Sequence, residues 1–398
     1  MEKLTLKDLD LKGKTVVMRV DFNVPLKDGV IGDDNRIRQA LPSIKHVVEG
    51  GAKLVLLSHL GRPKGEPNME FSLKPVADHL KSLVSGNVIF GEDCIGEKAK
   101  AAVDQASHGD IVLLENVRFH KEETKNDPDF SKKLAAHGDI FVNDAFGSSH
   151  RAHSSVAGIT EYLQPAAAGY LLTKEIEYLQ NSVENPKRPF VAVLGGAKVS
   201  DKIGVIENLI TKVDTIIIGG GMTYTFYKAK GLPIGKSMLE EDKVKLAGEL
   251  MEKARANNVE IMLPVDSIVG KEFKEDTETR VVPEDGIEDG WMALDIGPKS
   301  AEIFGDEVKK AKTVIWNGPM GVFEMEAFAK GTFAVAGAMS SATEDGAITI
   351  IGGGDSASAI KKAGLEEKVS HVSTGGGASL EYLEGIVLPG ISSLTDKK

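Results

Sequence analysis

Arginines, whose side chains are suited to binding small anions, are concentrated in the first part of this 398-residue sequence. Only nine arginines stand beside 39 lysines, and six of the nine precede residue 152. A planar guanidinium binds carboxylate and phosphate in a bidentate manner, so this half is expected to bind a small anion; surface ion pairing is the alternative for any single arginine. These six are Arg19, Arg36, Arg38, Arg62, Arg118 and Arg151.

Runs of three glycines recur in the second half of the chain. Three glycine triplets, at 219–221, 352–354 and 375–377, each follow an apolar run typical of a β-strand. Glycine at a strand end costs conformational entropy on folding. Three such triplets therefore indicate that the backbone must approach a ligand or another segment closely. Because ligands of doubly wound sheets collect where strands end and helices begin, the triplets favour phosphate.

Charged residues accompany these glycines. Lys198 and Lys202 follow a strand-like run and Gly195-Gly196, and we expect them on one face of a helix N-terminus, where an anion would offset their charge. Two solvated lysines are the alternative. Asp355 follows the second triplet, where a phosphate-bound Mg²⁺ needs a carboxylate, although it or Ser356 could instead cap a helix.

Continuous apolar runs alternate with helical patterns along the whole chain. Runs such as 15–20, 53–58, 190–196 and 312–318 are typical of strands buried on both faces, and 241–257 has helical spacing. We therefore predict an α/β fold with two doubly wound, mainly parallel sheets, in two similar-sized domains joined by a helical hinge.

Composition excludes several classes of protein. A net charge of −11 argues against binding nucleic acid or anionic membranes, and no apolar run reaches the length of a membrane span. The charged N-terminus lacks the pattern of a secretory signal, so a cytoplasmic location is expected. The one cysteine, Cys94, excludes an internal disulfide and a cysteine-based zinc cluster. Neither the dinucleotide fingerprint nor the P-loop motif occurs.

Nine strings of the sequence resemble phosphoglycerate kinases of bacterial type, in the same order and over essentially the whole chain. The combination is highly specific, because several of these strings are distinctive by themselves and here they are collinear. They are RVDFNVP, SHLGRPKG, ENVRFH, NDAFGSSHRAHSS, LGGAKVSDKI, IIIGGGM, WNGPMGVFE, IIGGGDS and STGGGASLE.

The resemblance implies that residues 1–170, with a tail from about 380 to 398, bind 3-phosphoglycerate, that 171–186 form a hinge helix, and that 187–379 bind the nucleotide. The implied substrate-binding residues are Asp21, Phe22, Asn23, Arg36, His59, Leu60, Gly61, Arg62, Arg118 and Arg151. The implied nucleotide-binding residues are Lys202, Ala293, Asn317, Pro319, Glu324, Gly353, Gly354, Asp355 and Ser356, with Asp355 as the magnesium ligand. At position 293 the family has glycine, and a methyl group there could crowd the base.

The implied reaction is reversible phosphoryl transfer between ATP and 3-phosphoglycerate, giving ADP and 1,3-bisphosphoglycerate, by a monomeric enzyme. A carboxylate acceptor is already ionised at neutral pH, so no general base is needed. The predicted catalytic groups are Arg36, Lys198, Lys202 and the N–H groups of Gly375 and Gly376, which would cancel the charge of the transferred group. Domain closure would exclude water.

Two other functions fit parts of the sequence. A nicotinamide-dependent dehydrogenase shares the predicted pair of doubly wound domains, but the absent glycine fingerprint weighs against it. A phosphosugar-binding protein that closes without chemistry explains the arginines. It leaves Lys198, Lys202 and the Asp355 motif without a role.

Overall fold

The computed structural model describes residues 2–397, which form two units. The N-terminal unit comprises the described residues up to Ile176 together with those from Val387 onwards, and the C-terminal unit comprises Glu177–Ile386. The boundary falls within one helix, Tyr170–Glu184. No helix within 2–397 is both long and apolar enough to cross a bilayer.

The N-terminal unit is built on a six-stranded sheet that is parallel throughout, in the order β5-β6-β4-β1-β7-β8. A two-stranded hairpin, β2 with β3, follows the first strand. The strands are β1 (Thr15–Arg19), β2 (Leu26–Lys27), β3 (Val30–Ile31), β4 (Lys53–Leu57), β5 (Val88–Gly91), β6 (Ile111–Leu114), β7 (Ile140–Asn143) and β8 (Ala166–Ala168).

The helices of this unit cover a sheet in which β6 and β7 are buried from end to end and β1 and β4 in all but their first residue. They are α1 (Asn35–Glu49), α2 (Lys74–Leu80), α3 (Gly96–Gln105), α4 (Pro128–Ala135) and α5 (Tyr170–Glu184), which continues into the other unit. The end of the chain returns to this sheet, because Leu4 N–H donates to Thr395 O over 2.9 Å and Asn143 Nδ2 donates to Gly390 O over 2.8 Å.

The C-terminal unit has a second six-stranded parallel sheet, in the order β11-β10-β9-β15-β16-β17. The chain moves outward from β9 in one direction and then outward from β15 in the other, so the crevice between these strands is the topological switch point. The strands are β9 (Phe190–Leu194), β10 (Thr215–Ile218), β11 (Glu260–Met262), β15 (Thr313–Asn317), β16 (Ile348–Gly352) and β17 (His371–Val372).

A small antiparallel sheet in the order β13-β12-β14 was not predicted from the sequence. It has its own apolar core with Tyr224, Tyr227 and Trp291. Its strands are β12 (Asp266–Gly270), β13 (Thr279–Pro283) and β14 (Met292–Ile296). The remaining helices are α6 (Ile203–Leu209), α7 (Thr223–Ala229), α8 (Val244–Ala256), α9 (Pro298–Lys310), α10 (Lys330–Glu344), α11 (Gly354–Lys362), α12 (Gly377–Leu383) and, in the N-terminal unit, α13 (Pro389–Ser392).

The two six-stranded parallel sheets confirm the predicted α/β class with two doubly wound sheets. Burial explains why the strands were recognisable: every residue of β9, β10 and β15 is buried, as continuous apolar runs require. The assignment of one substrate to each domain and the hinge role of the helix stay predictions.

Candidate active site

The switch point of the C-terminal unit holds a cavity of about 370 Å³, here called the switch-point cavity. Gly195 follows β9 and Gly318 follows β15, so the loops from the two diverging strands form its floor. Its lining residues are Gly195, Gly196, Ala197, Lys198, Asp201, Lys202, Asn317, Gly318, Pro319, Gly353, Gly354, Asp355, Ser356, Gly376, Gly377 and Leu380. Most of the predicted phosphate-binding residues therefore meet in one place.

Glycine is required on this floor because the two loops touch. A Cβ added at Gly195 would lie 2.1 Å from Pro319 O, and one added at Gly318 would lie 2.2 Å from Gly195 O. Gly318 also has a φ of +101°, a conformation that favours glycine. The close packing leaves backbone, rather than side chains, facing the cavity.

The two lysines enter the cavity from a loop rather than from a helix face, which corrects the expected arrangement. Helix α6 begins only at Ile203, so Lys198 precedes the helix and Lys202 is its N-cap residue. Lys198 is exposed, whereas Lys202 is buried at 8% exposure and donates a hydrogen bond to Asn317 Oδ1. Between β9 and α6, residues 195–202 form an irregular loop that ends in a turn at 200–202.

Burial lowers the pKa of Lys202, and the nearby carboxylates of Asp201, Asp355 and Glu384 oppose that shift. An ammonium in this position gains from any further negative charge placed in the cavity. The arrangement is therefore suited to a polyanion such as a chain of phosphates.

Asp355 lies at the start of α11 with its side chain exposed to the cavity. Neither it nor Ser356 caps the helix, since the N-cap is Gly353 and no side chain bonds there. Ser356 instead accepts a hydrogen bond from Gly318 N–H over 2.6 Å, which fixes one floor loop against α11. This arrangement disfavours the capping alternative and leaves the Asp355 carboxylate available to a cation.

The third glycine triplet reaches the cavity only through its later residues. Gly376 and Gly377 line it, whereas the Gly375 N–H donates to Ser373 Oγ over 3.1 Å. Of the two N–H groups predicted to face the transferred group, the one of Gly375 is thus already engaged within the loop. Glu381 forms no capping box, because the N-cap residue Gly376 has no side chain to complete one.

A second cavity, of about 670 Å³, adjoins the first and is here called the side cavity. The two cavities share Gly196, Ala197, Pro319 and Asp355. Mainly apolar residues line the side cavity, with Glu324 at its exposed part. They include Tyr224, Met238, Phe273, Met292, Ala293, Leu294, Met320 and Val322.

Ala293 lies on β14 and is 7% exposed. Its N–H donates to Ser237 Oγ over 2.9 Å, so that N–H is not offered to a ligand. The first glycine triplet contributes Gly220 and Gly221 to the side cavity. Backbone contacts with Gly196 and Pro319 explain the glycine at 220, since a Cβ there would lie 2.5 Å from Gly196 O.

In the N-terminal unit, the predicted substrate residues follow the carboxyl ends of β1, β4, β6 and β7, except Arg36, which lies in the first turn of α1. Arg36 Nη1 donates to Asp21 Oδ1 over 2.9 Å, and Gly61 N–H donates to Asn23 Oδ1 over 2.9 Å. Arg118 Nη1 donates to Gly61 O over 3.1 Å. These hydrogen bonds join the loops after three different strands into one polar surface.

The remaining predicted residues divide by burial. Arg62 and Arg151 are exposed, so their guanidinium groups are available to an anion. Phe22 and Leu60 belong to the hydrophobic core, and any contact they make with a ligand involves backbone only. Phe22 N–H in turn donates to Ser58 Oγ over 2.9 Å.

Arg19 was not among the predicted binding residues, and it is fully buried. Its Nη2 donates to His59 Nδ1 over 3.1 Å, and its Nε donates to Ser155 Oγ over 2.8 Å. Ser155 Oγ donates in turn to Glu123 Oε1 over 2.5 Å. Because an arginine can only donate, His59 Nδ1 must accept, and the neutral ring then carries its proton on Nε2.

Two histidines of this surface, His59 and His153, are held neutral. Burial and the charges of Arg19, Arg118 and Arg36 hold the pKa of His59 well below its usual range. Burial with Arg118, Arg19 and Arg151 lowers the pKa of His153 to about 4. Burial also lowers the pKa of Arg118 to about 10, which leaves it charged at neutral pH. The surface therefore offers cationic arginines and uncharged imidazole N–H donors to an anion.

Comparison with known proteins agrees with this arrangement. The family model described as phosphoglycerate kinase matches residues 6–386. A phosphoglycerate kinase of Chloroherpeton thalassium is 57% identical over 396 residues and covers 100% of both chains, and one of Clostridium tetani is 56% identical over 397 residues, covering 99% of this chain and 98% of the relative.

Solved structures show the same fold. The phosphoglycerate kinase of Coxiella burnetii superposes with a TM-score of 0.89 at 44% identity, with 98% of each chain covered. That of Pyrococcus horikoshii OT3 gives a TM-score of 0.83 at 33% identity, again over 98% of each chain. With a family model and relatives that span the whole chain, the protein belongs to the phosphoglycerate kinase family.

Proposed function

We propose that this protein catalyses reversible, Mg²⁺-dependent phosphoryl transfer between ATP and the carboxylate of 3-phosphoglycerate, forming ADP and 1,3-bisphosphoglycerate. Family membership gives the reaction class, a phosphotransferase with a carboxyl group as acceptor. The observation that carries the proposal is the switch-point cavity, where Lys198, Lys202 and Asp355 surround bare glycine backbone.

On the nucleotide side, the phosphates would occupy the switch-point cavity and the base the apolar side cavity. Backbone N–H groups at the start of α11 and the ammonium of Lys202 are suited to phosphate oxygens. Glu324 at the exposed part of the side cavity would accept from a ribose hydroxyl, with Asn317 and Pro319 near the sugar.

The residues present suit a magnesium ion. Asp355 offers an exposed carboxylate beside room for phosphates, and Mg²⁺ is commonly held by one or two carboxylates together with substrate phosphates. When bound, the ion would neutralise part of the charge on the phosphates. Asp355 is the residue that would hold it.

On the triose side, Arg36, Arg62, Arg118 and Arg151 would bind the phosphate and carboxylate of 3-phosphoglycerate. Asp21 positions Arg36 by accepting from its Nη1, and Asn23 holds the backbone of Gly61, whose carbonyl accepts from Arg118. His59, with Nε2 protonated, would donate a hydrogen bond and remain uncharged. Selectivity for a small molecule that carries both a phosphate and a carboxylate follows from several guanidinium groups on one surface.

The chemical step needs charge cancellation and alignment rather than proton transfer. The acceptor carboxylate is ionised at neutral pH, and the nearby histidines have lowered pKa values that keep them uncharged. Arg36, Lys198, Lys202 and the Gly376 N–H would stabilise the transferred group. Gly375, whose N–H is engaged by Ser373, would act by holding the loop.

A coupled assay tests the function. Purified protein receives ATP, Mg²⁺ and 3-phosphoglycerate, and glyceraldehyde-3-phosphate dehydrogenase converts the product with oxidation of NADH. Arg36→Ala and Lys202→Ala should each lower kcat by about 10²–10³ if these groups stabilise the transition state. The matched controls are Arg38→Ala and Lys310→Ala. Arg38 lies two residues after Arg36 on α1, and its exposed side chain pairs with Asp34. Lys310 is the last residue of α9.

Tight binding of both ligands without turnover would support the phosphosugar-binding alternative and reject the kinase proposal. Fluorescence titration with NAD tests the dehydrogenase alternative, and no binding is expected. Magnesium as the metal, a single chain as the acting unit, a cytoplasmic location and closure of the domains are part of the proposal and stay predictions.

A further inference from the structure

Three side chains with metal-ligating atoms meet beside the carboxyl ends of β5 and β6 in the N-terminal unit. Asp93 and Cys94 follow β5, and His120 follows the short helical turn after β6. One carboxylate oxygen, the thiol sulfur and one ring nitrogen all lie within 4.8 Å of one another. This set of residues is here called the Asp-Cys-His cluster, and the phosphoryl-transfer proposal makes no use of it.

The backbone around the cluster is held in place. His137 Nε2 donates to Cys94 O over 2.9 Å, and Cys94 N–H donates to Asp93 Oδ1 over 2.7 Å. The same carboxylate oxygen is 2.7 Å from His120 Nε2. The cluster is thus pre-organised by hydrogen bonds of its own and of a neighbour, as metal ligands in proteins commonly are.

The sulfur of Cys94 lies near the ligand atoms of Asp93 and His120, and the phosphoryl-transfer proposal gives it no role. Cys94 is fully buried and forms no disulfide, and its sulfur accepts a hydrogen bond only from the backbone N–H of its own residue among the partners described for residues 2–397. Asp93 and His120 keep 38% and 27% of their side chains exposed, so one side of the cluster is open to solvent. An ion can therefore reach the buried sulfur from the side on which Asp93 and His120 are exposed.

We propose that the Asp-Cys-His cluster is a binding site for Zn²⁺, with Asp93, Cys94 and His120 as ligands and a solvent molecule in the fourth position. Zinc accepts thiolate, imidazole and carboxylate together in a tetrahedron, with bonds of roughly 2.0–2.3 Å. Bringing the ion in displaces the proton of the thiol and opens the hydrogen bond between Asp93 and His120. Magnesium prefers oxygen ligands and does not compete.

The site joins two segments that only the fold brings together. Ligand positions 94 and 120 are separated by 26 residues, and their spacing matches no metal-binding motif. Strands β5 and β6 are neighbours in register, with Gly91 opposite Leu114, so their following loops meet. A bound ion would link these loops at the edge of the sheet.

Titration with Co²⁺ tests the proposal, because a cobalt–thiolate bond gives a charge-transfer band in the near ultraviolet. Cys94 is the one cysteine of the chain, so this band reports on the cluster and not on Asp355. The experiment uses the full chain without nucleotide, in millimolar Mg²⁺. We expect one equivalent of Co²⁺ to produce the band and Zn²⁺ added afterwards to remove it by displacement.

Variants separate ligation from general effects. Cys94→Ala should abolish the band, and His120→Gln should weaken Co²⁺ binding by about tenfold or more. His108→Ala removes an exposed histidine of the same unit and should leave binding unchanged. Circular dichroism checks that each variant is folded, and Zn²⁺ calorimetry provides a second measure of affinity. Absence of the band, or His108→Ala and His120→Gln weakening binding equally, would overturn the proposal.

Discussion

The two anion-binding regions carry positive charge in different ways. In the N-terminal unit the charge is carried by side chains: Arg36 is fixed by Asp21 and Arg118 by Gly61 O, while Arg62 is free at the surface. In the C-terminal unit much of the cavity wall is glycine backbone, with Lys202 as the buried cation. The first region should thus be sensitive to loss of side chains and the second to addition of a single methyl group.

The largest expected effect is on stability and belongs to the glycine floor. Gly195→Ala would place a Cβ 2.1 Å from Pro319 O and 2.5 Å from Gly318 O, two backbone atoms that cannot move aside alone. We expect a loss of about 3 kcal/mol or more in the free energy of unfolding, or failure to fold. Urea unfolding measures it.

Gly354→Ala is the matched variant, since no atom lies within 4 Å of the added Cβ. It should leave the urea midpoint unchanged and raise the nucleotide KM, because the methyl group faces the switch-point cavity. Arg62→Ala in the other unit should also leave stability unchanged. Equal destabilisation by Gly195→Ala and Arg62→Ala would remove the contrast between the two regions.

The next effect compares two buried aspartates, one in each unit. Burial raises the pKa of Asp144 to about 7 and that of Asp295 to about 7, against 3.8 in an unfolded chain. The folded state keeps a proton that the unfolded state releases, so the stability present below pH 4 falls as the pH rises from about 4 to 7. The decrease is up to about 4 kcal/mol for each group.

Asparagine at the two positions should behave differently. Leu171 and Leu172 N–H groups both donate to Asp144 Oδ1, and the Ser43 side chain also interacts with this carboxyl group, so Asp144→Asn keeps both backbone hydrogen bonds. This variant should exceed the parent in stability at pH 8. Its urea midpoint should also change less between pH 5 and 8.

Asp295 uses both oxygens, because Ile296 N–H donates to Oδ1 and Gly331 N–H to Oδ2, each over 2.9 Å. Asp295→Asn would direct an amide N–H₂ at one of these donors, and we expect a loss of about 1–3 kcal/mol. Urea midpoints at pH 5, 6, 7 and 8 measure both variants. Equal changes in the free energy of unfolding for Asp295→Asn and Asp144→Asn would show that these hydrogen bonds do not determine how each position tolerates asparagine.

The smallest effect concerns Ala293, where the family resemblance implies glycine. The residue is 7% exposed, and its N–H is engaged by Ser237 Oγ. Its methyl group belongs to the apolar core of the small sheet as well as to the wall of the side cavity. Ala293→Gly should therefore change the calorimetric Kd for ADP less than about threefold, roughly the effect of one methyl group. A gain of tenfold or more would indicate that the methyl group crowds the base.

Buried strands and strand ends were predictable because continuous apolar runs have few other structures open to them. The runs at 190–196 and 312–318 correspond to β9 and β15, and Gly195 and Asn317 fall at their ends as expected. By contrast, β8 consists of Ala166–Ala168 alone, and three alanines carry no strand signal. The antiparallel sheet with Ala293 was missed although β12 and β14 are mostly buried, because β13 is mostly exposed and the three strands follow one another through irregular loops.

Site residues were predictable by type but not by their local partners. Lys198 and Lys202 were identified from the sequence, but the loop that precedes α6, which begins only at Ile203, was not predicted. In the sequence, Arg19 was one of six arginines with no feature that set it apart. The fold shows that it is fully buried, where it donates to His59 and to Ser155, which in turn donates to Glu123. Contacts between residues more than 100 positions apart leave no trace in local spacing.

The central claim is that the N-terminal unit binds the triose and the C-terminal unit binds the nucleotide. Calorimetric titration of 3-phosphoglycerate and, separately, of Mg-ADP into the parent, Arg62→Ala and Lys202→Ala tests it directly. Arg62→Ala should weaken 3-phosphoglycerate by about 10–100-fold and leave Mg-ADP unchanged, and Lys202→Ala should do the reverse, as expected for loss of one charge-assisted hydrogen bond. Weakened binding of both ligands by either variant, or of the opposite ligand, would contradict the division of the site between the two units.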